Sequence, residues 1–311
     1  MKNKLIFIFL DGIGMGSRVD LNPLTKAAMP TLRGLIGEKL TNTTNIFEKD
    51  ILVKGIDACL EVDGVPQSAT GQTSLFTGYN AQEFLGYHLM AYPNDQLISL
   101  INKRSIFKYA KENNIKSTFA NSYTDGFFKS FDKTSPNYSV TTRCVLAAKT
   151  DFKTLDDLIE NKAVHWDITN MTLQDIPNNR VPLISPVKAG ENLQNLTNDY
   201  DLVLYECFLP DLIGHKKDMV QSIMFLEMFD KFLSGLISNK PDNVHIIISS
   251  DHGNIEDLSF GGHSKNPVPL IFIGSEAHHF VQVNAINEIF NAIFSKFFNT
   301  APISEFEGIS Y

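Results

Sequence analysis

The sequence predicts an α/β protein with a doubly wound, mostly parallel sheet flanked by helices. Two observations carry this expectation. Four short apolar runs, Leu5–Leu10, Leu202–Tyr205, His245–Ser249 and Pro269–Ile273, read as buried parallel strands. Helical patterns lie between them, and strands alternating with helices imply a sheet covered on both faces.

Taken in order, the first run ends in Asp11-Gly12, a carboxylate at a strand end. Met29–Ile36 opens a helix with Pro30 near its first turn. Gly64-Val65-Pro66-Gln67 forms a loop, and Ser68 follows it at the head of small residues that begin another helix. Leu202–Tyr205 leads to Pro210-Asp211-Leu212-Ile213-Gly214-His215, where one helical turn brings Asp211 and His215 onto the same face. Met219–Ile237 is a longer amphipathic helix, apolar at Met219, Ile223, Leu226, Phe229, Leu233 and Leu236. Val244–Ser249 runs into Ser250-Asp251-His252-Gly253-Asn254, and Gly261-Gly262-His263-Ser264-Lys265-Asn266-Pro267 precedes the fourth strand. A last helix is expected from about Asn284 to Phe297. Residues 89–188 change character, with polar loops at 121–126 and 132–137 and the sole tryptophan, Trp166.

Whole-chain properties narrow the function. A length of 311 residues allows one large α/β domain with an insertion, or two domains. A formal charge of -8 argues against a nonspecific nucleic-acid binder. It leaves an anionic substrate open, because bound divalent metals are the largest local charges in such a site. Cys59, Cys144 and Cys207 show neither paired nor metal-type spacing, which suits a reducing compartment. The basic lead before Leu5–Leu10 imitates a signal peptide, but the apolar run ends at Asp11 with no small-residue cleavage pattern. No run reaches membrane-spanning length. A cytoplasmic protein without membrane contact is expected.

Ionisable residues after a buried strand suit a metal site at the carboxyl edge of an α/β sheet. Asp11, Asp211, Asp251, His215, His252 and His263 come from distant segments and suffice for two ions. Asp251 and His252 are adjacent and would face opposite ways in a strand, so only a bend at Gly253 lets both converge. Oxygen and imidazole ligands without thiolate suit Mn, Mg or Zn. Taken singly, each residue has a plainer reading: Ser68 as a helix cap, Asp11 as a turn former, Asp211 and His215 as a surface ion pair.

The order and wording of these segments resemble the alkaline phosphatase superfamily, in its cofactor-independent phosphoglycerate mutase and phosphopentomutase branch. Asp251-His252-Gly253-Asn254, His263 followed by Asn266-Pro267-Val268-Pro269, and Val65–Thr73 carry the resemblance. It covers roughly residues 1–90 and 190–311. It implies a metal-binding core of 1–88 and 189–311, with 89–188 inserted as a cap. An elaboration of the same sheet is the alternative for that segment. It further implies Ser68 as nucleophile, with Asp11, Ser68, Asp251 and His252 around one metal and Asp211, His215 and His263 around a second. Manganese is the metal it favours.

A serine between two metals suits phosphoryl transfer on a small phosphorylated metabolite. The expectation is a phosphomonoesterase working through phosphoserine. A phosphoglycerate or phosphopentose mutase is the alternative, and a catalytically inactive ligand- or partner-binding member a further one. Mutases of the resembled branch use clustered arginines, whereas Arg18, Arg33, Arg104, Arg143 and Arg180 are scattered. A sulfatase would need a Cys/Ser-x-Pro-x-Arg motif, which the Ser68 segment lacks. His88 and Lys265 are weighed as substrate contacts and read instead as structural and solvated residues. His165, His245, His278 and His279 match no motif and are read as structural or surface residues.

Overall fold

A computed structural model describes residues 2–301 except 18 and 134, so Arg18 lies outside the described residues. The chain runs β1 (Lys4–Leu10), α1 (Pro30–Ile36), β2 (Ile46–Glu48), β3 (Ile51–Ile56), α2 (Ser68–Thr77), α3 (Ala81–Leu85), α4 (Asp95–Lys103), α5 (Ile106–Glu112) and β4 (Ser117–Phe119). It continues through α6 (Asp125–Lys129), α7 (Val140–Ala148), α8 (Leu155–Ile159), α9 (Pro186–Asn195), β5 (Leu202–Cys207), α10 (Leu209–Gly214), α11 (Met219–Ile237), β6 (Val244–Ser249), β7 (Val268–Ile273) and α12 (Glu288–Asn291).

These strands form one sheet in the order β2-β3-β7-β6-β1-β5-β4. β1 sits between β5 and β6, parallel to both, with Leu5 opposite Leu202 and His245. Alternate residues of β1 feed two separate cores. Leu5, Phe7 and Phe9 pack with α2, α5, α7 and the C-terminal helical turn on one face. Ile6, Ile8 and Leu10 pack with α1, α9 and α11 on the other. Burial on both faces explains why β1, β5 and β6 read as continuous apolar runs. Helix α11 spans the expected residues, starting at Asp218, whose side chain accepts from Gln221 N. Its buried Asp230 in turn accepts from Thr31 N and Leu32 N, satisfying the free amides at the start of α1.

Two expectations need correction. The run Pro269–Ile273 forms a buried strand, but β7 lies antiparallel to β6. The connection over 250–267 contains no helix to carry the chain back across the sheet, so it returns from the edge at which it left. The last helix begins at Glu288, because Asn284–Ile286 pair with Asp57 in an isolated bridge and their backbone groups are already used. It ends in a π-helical turn, Ala292–Phe297. Residues 89–188, expected as an inserted cap, contribute a strand and side chains to the sheet and its core. β4 is an edge strand paired to β5, and Ile101, Phe107, Phe119 and Val145 belong to the main core. What stands over the sheet edge is smaller: the aromatic group of Tyr123, Phe127, Phe131 and Tyr138, and a satellite core of Leu155, Leu158, Ala163, Leu173 and Val181.

His245, in the middle of β6, is buried between the rings of Phe272 and Phe297 with neither ring nitrogen partnered. Burial, aided by the charge of Lys240, pushes its pKa from near 6.5 down to about 4. The unfolded chain therefore takes up a proton that the fold refuses, and stability should fall as pH drops from about 6.5 toward 4, by at most ~3 kcal/mol. His245→Leu should remove that acid sensitivity, read as equal denaturant midpoints at neutral and mildly acidic pH after correction for the other groups. An unchanged pH slope would mean His245 is not its source.

Candidate metal centre

The carboxyl ends of β1, β5 and β6 open onto one edge, and each is followed by ionisable residues. Asp11 follows β1 directly and its amide donates to Cys207 O at 3.0 Å. Asp251 and His252 lie in the bend after β6, both completely buried. Ser68 is the first residue of α2, not its cap: Gln67 holds the cap position, and the Ser68 hydroxyl points instead at His252. Ser68 Oγ lies 3.1 Å from His252 Nε2. That nitrogen is also 3.2 Å from Asp11 Oδ1 and 3.6 Å from Asp251 Oδ2. Four ligand atoms from three segments thus converge on one point.

A second group adjoins it. Asp211, in the first turn of α10, has Oδ1 3.3 Å from His263 Nε2 and Oδ2 3.3 Å from His215 Nε2. The rings of His263 and His252 stack at 3.7 Å, placing the two groups side by side. The imidazoles are oriented from behind. His263 Nδ1 lies 3.0 Å from Pro66 O and His215 Nδ1 lies 3.0 Å from Gly261 O. Donation to these carbonyls leaves each Nε2 free as a ligand. All seven residues expected at the site are therefore brought together, with His215 the most exposed.

The electrostatics of the site fit divalent cations. Burial, reinforced by the charge of Asp211, pushes the Asp11 carboxyl up to about 8, and burial with Asp11 nearby pushes Asp251 up to about 7. Asp11 Oδ1 is buried without a hydrogen-bond donor. Burial also acts against ionisation of Asp211, but hydrogen bonds from His263 and Asn254 and the charges of His252 and His263 bring it to about 2. Buried oxygen and imidazole ligands facing one another, with no side-chain cation between them, are what a divalent metal satisfies.

Three residues without a role in the sequence reading hold this arrangement. Gln72 Nε2 donates to both Asp11 Oδ2 and Asp251 Oδ2, at 3.3 and 3.2 Å, bridging two carboxylates that repel. Asn254 Nδ2 donates to Asp211 Oδ1 at 2.7 Å. The buried Glu256 accepts from Gly14 N and Asn254 N, each at 2.8 Å, through Oε2, and from Asn266 Nδ2 at 3.0 Å and the Ser264 hydroxyl through Oε1. Gln72 and Asn254 stand inside the quoted motifs, so their positions were visible although their contacts were not. Glu256 carried no signal beyond its nearness to Asp251. His88 has a structural contact, Nε2 lying 3.1 Å from Val62 O, and Lys265 is exposed.

The fold and this cluster are those of a metalloenzyme. The chain belongs to the metalloenzyme superfamily, whose model matches residues 3–300. A 2,3-bisphosphoglycerate-independent phosphoglycerate mutase of Coxiella burnetii is 30% identical over 110 residues, 33% of this chain. That match spans only 21% of the mutase. The alkaline phosphatase of the Antarctic bacterium TAB5 superposes with a TM-score of 0.56 at 19% identity, covering 96% of this chain and 99% of the other. The PH0037 protein of Pyrococcus horikoshii gives a TM-score of 0.58 at 16% identity, with 99% of both chains covered. At these identities the solved structures establish the fold.

Glu256→Gln places an amide N–H₂ against groups that are all donors. Divalent-metal affinity should fall about ten- to hundredfold, as for other groups that orient ligands from behind, while unfolding stays cooperative. Calorimetric titration with manganese reads this directly. Unchanged affinity in a folded variant would remove Glu256 from any role at the centre.

Proposed function

We propose that the protein is a phosphomonoesterase that works through a phosphoserine at Ser68. The observation that carries this reading is the cavity over Ser68. It has a volume of about 630 Å³ and is bounded by Asp11, Ser68, Gln72 and Asp211 on one side and by Tyr92, Phe127, Tyr138, Trp166 and Phe208 on the other. Among the described residues, no lysine or arginine lines it. A mutase must hold a dephosphorylated yet still anionic intermediate until retransfer, which calls for fixed cationic contacts. The described arginines are engaged elsewhere. Arg104 donates to Thr77 O and lies over Tyr79, Arg143 donates to Lys133 O and Ser135 O, and Arg180 pairs with Asp156. Arg33 borders a different cavity. With no cationic side chain among the described residues to retain the alcohol, water completes the reaction.

Asp11, Ser68, Asp251 and His252 would hold one divalent ion, and Asp211, His215 and His263 the second. Bound cations supply Lewis acidity that favours the Ser68 alkoxide and offsets charge on the phosphoryl oxygens. Ser68 Oγ forms the new bond to phosphorus as the bond to the ester oxygen breaks, and the departing alcohol gains the proton that the serine hydroxyl lost. Water then cleaves the phosphoserine, giving inorganic phosphate and restoring the hydroxyl. The start of α2 adds free backbone amides beside Ser68 for the phosphoryl oxygens. Manganese is the ion proposed for both positions. The three cysteines are unpaired, which supports a reducing, cytoplasmic setting. Among the described residues no helix is long and apolar enough to cross a membrane.

Ser68→Ala should lose nearly all turnover and still bind metal through its carboxylates and imidazoles. Rapid-quench mass spectrometry should find a phosphoryl group on the wild type and none on the variant. An active variant would point instead to direct attack by water. In isotope-labelled water, most turnovers should place the label in free phosphate; isomerisation of a phosphopentose or phosphoglycerate with little phosphate released would establish the mutase alternative.

The double variant Asp211→Asn, His263→Ala should lose about one equivalent of manganese relative to wild type, since the second position keeps only one strong ligand. Elemental analysis showing unchanged metal content would disprove the assignment of that position.

A further inference from the structure

Beside the reaction cavity lies a second one of about 200 Å³, and Phe127, Ser139, Thr142, Trp166 and Phe208 border both. Glu206, in β5, lines the second cavity and is 1% exposed. Its backbone is fixed reciprocally by Asn121, with Asn121 Nδ2 donating to Glu206 O at 2.7 Å and Glu206 N donating to Asn121 Oδ1 at 2.9 Å. Thr141 Oγ1 donates to Glu206 Oε2 at 2.7 Å, whereas Oε1 has no partner. Among the described residues no lysine or arginine lines this cavity either. A buried acid with one oxygen satisfied and the other unmatched, in an aromatic chamber that shares a wall with the cavity over Ser68, is a built site without an assigned ligand.

We propose that this chamber binds the leaving group of the ester and selects a short alkyl chain ending in a protonated amine, with Glu206 Oε1 accepting from the ammonium N–H. The inference rests on the phosphomonoesterase reading and adds its substrate class. Three considerations favour a cation. An anionic tail would meet Glu206 with no opposing side-chain charge among the described residues that line the cavity. A purely apolar tail would leave Oε1 buried and unpaired, at the full desolvation cost of that oxygen. The faces of Phe127, Trp166 and Phe208 attract a positive group by their quadrupoles, most strongly when water is excluded. Burial, with the charges of Asp11 and Asp251 adding to it, holds the Glu206 carboxyl well above the usual range, so the acid ionises readily only beside a cation. An ammonium is one. The volume is right for a small group: an apolar cavity of about 150 Å³ accepts a benzene ring.

Trp166 is the only tryptophan and borders both cavities, so its fluorescence reports occupancy. The manganese-loaded Ser68→Ala protein would be titrated with ω-aminoalkyl phosphates of increasing chain length, and with the hydroxyalkyl and alkyl phosphates of matching length. At the best length the amine should bind about tenfold or more tightly than its neutral counterparts, the scale of one charge-assisted hydrogen bond. Glu206→Gln should bring that ratio close to one. Equal or tighter binding of the neutral esters at every length would overturn the proposal, and the wild-type pocket decides this without the variant. Phosphate release by the wild-type enzyme is followed in parallel. Release from neutral esters without amine preference would reject the amine site and leave the phosphatase intact. Amine-selective binding without phosphate release from any ester would reject the phosphatase and keep the site.

Discussion

The carboxylate of Glu256 is the junction on which the rest of the centre depends. Its two oxygens gather donors from the loop after β1, the bend after β6 and the segment that follows His263. Those stretches carry Asp11, Asp251, His252 and His263, so one buried group sets their mutual distances. The fit leaves no room for side chains around it. A Cβ at Gly14 or Gly253 would run into the Glu256 carboxylate. Because every neighbour is a donor, removing the carboxylate would strand four donors at once, three of them buried.

Around this junction the protein concentrates negative charge and leaves positive charge to its ligands. Asp11, Asp251 and Asp211 meet in a buried space where only hydrogen-bond donors such as Gln72 and Asn254 moderate their repulsion. The adjoining cavities continue the pattern, with aromatic walls, hydroxyls and one more buried acid. Divalent metal ions would answer the first set of acids, and the ammonium proposed above would answer the last. Family relatives that carry out phosphatase and mutase chemistry share the fold, so the choice between these outcomes lies in the walls of the cavity and not in the metal cluster.

The metal cluster was legible in the sequence for a physical reason. Asp11, Asp211, Asp251 and His252 each follow an apolar run, and parallel strands deliver their ends to the same edge. Helix α11 was legible because its apolar spacing matches one buried face over its full length. The direction of β7 was not, since a buried strand reads alike in either orientation; only the lack of a helix between Ser250 and Pro267 distinguishes them. Strands β2 and β4, of three residues each, gave too little pattern to see, and β4 is the strand by which the segment after α5 joins the sheet. Glu206 was hidden because it closes an apolar run. His165 was set aside as structural or surface, yet it is buried with Ser122 at 3.1 Å from its Nδ1 and lines the second cavity.

The placement of β1 has a consequence for biosynthesis. Its neighbours, β5 and β6, are both encoded in the last part of the chain. A nascent chain emerging from the ribosome therefore carries this apolar strand unpaired on both edges until residues near 207 have been made, and on one edge until residues near 249 have followed. Helices such as α4 and α5 can form early, but they have no central sheet to pack against. Long-range parallel pairing of this kind is slow and leaves sticky strand edges exposed meanwhile. In a living cell, Leu5–Leu10 is the stretch most in need of a chaperone's shelter during translation.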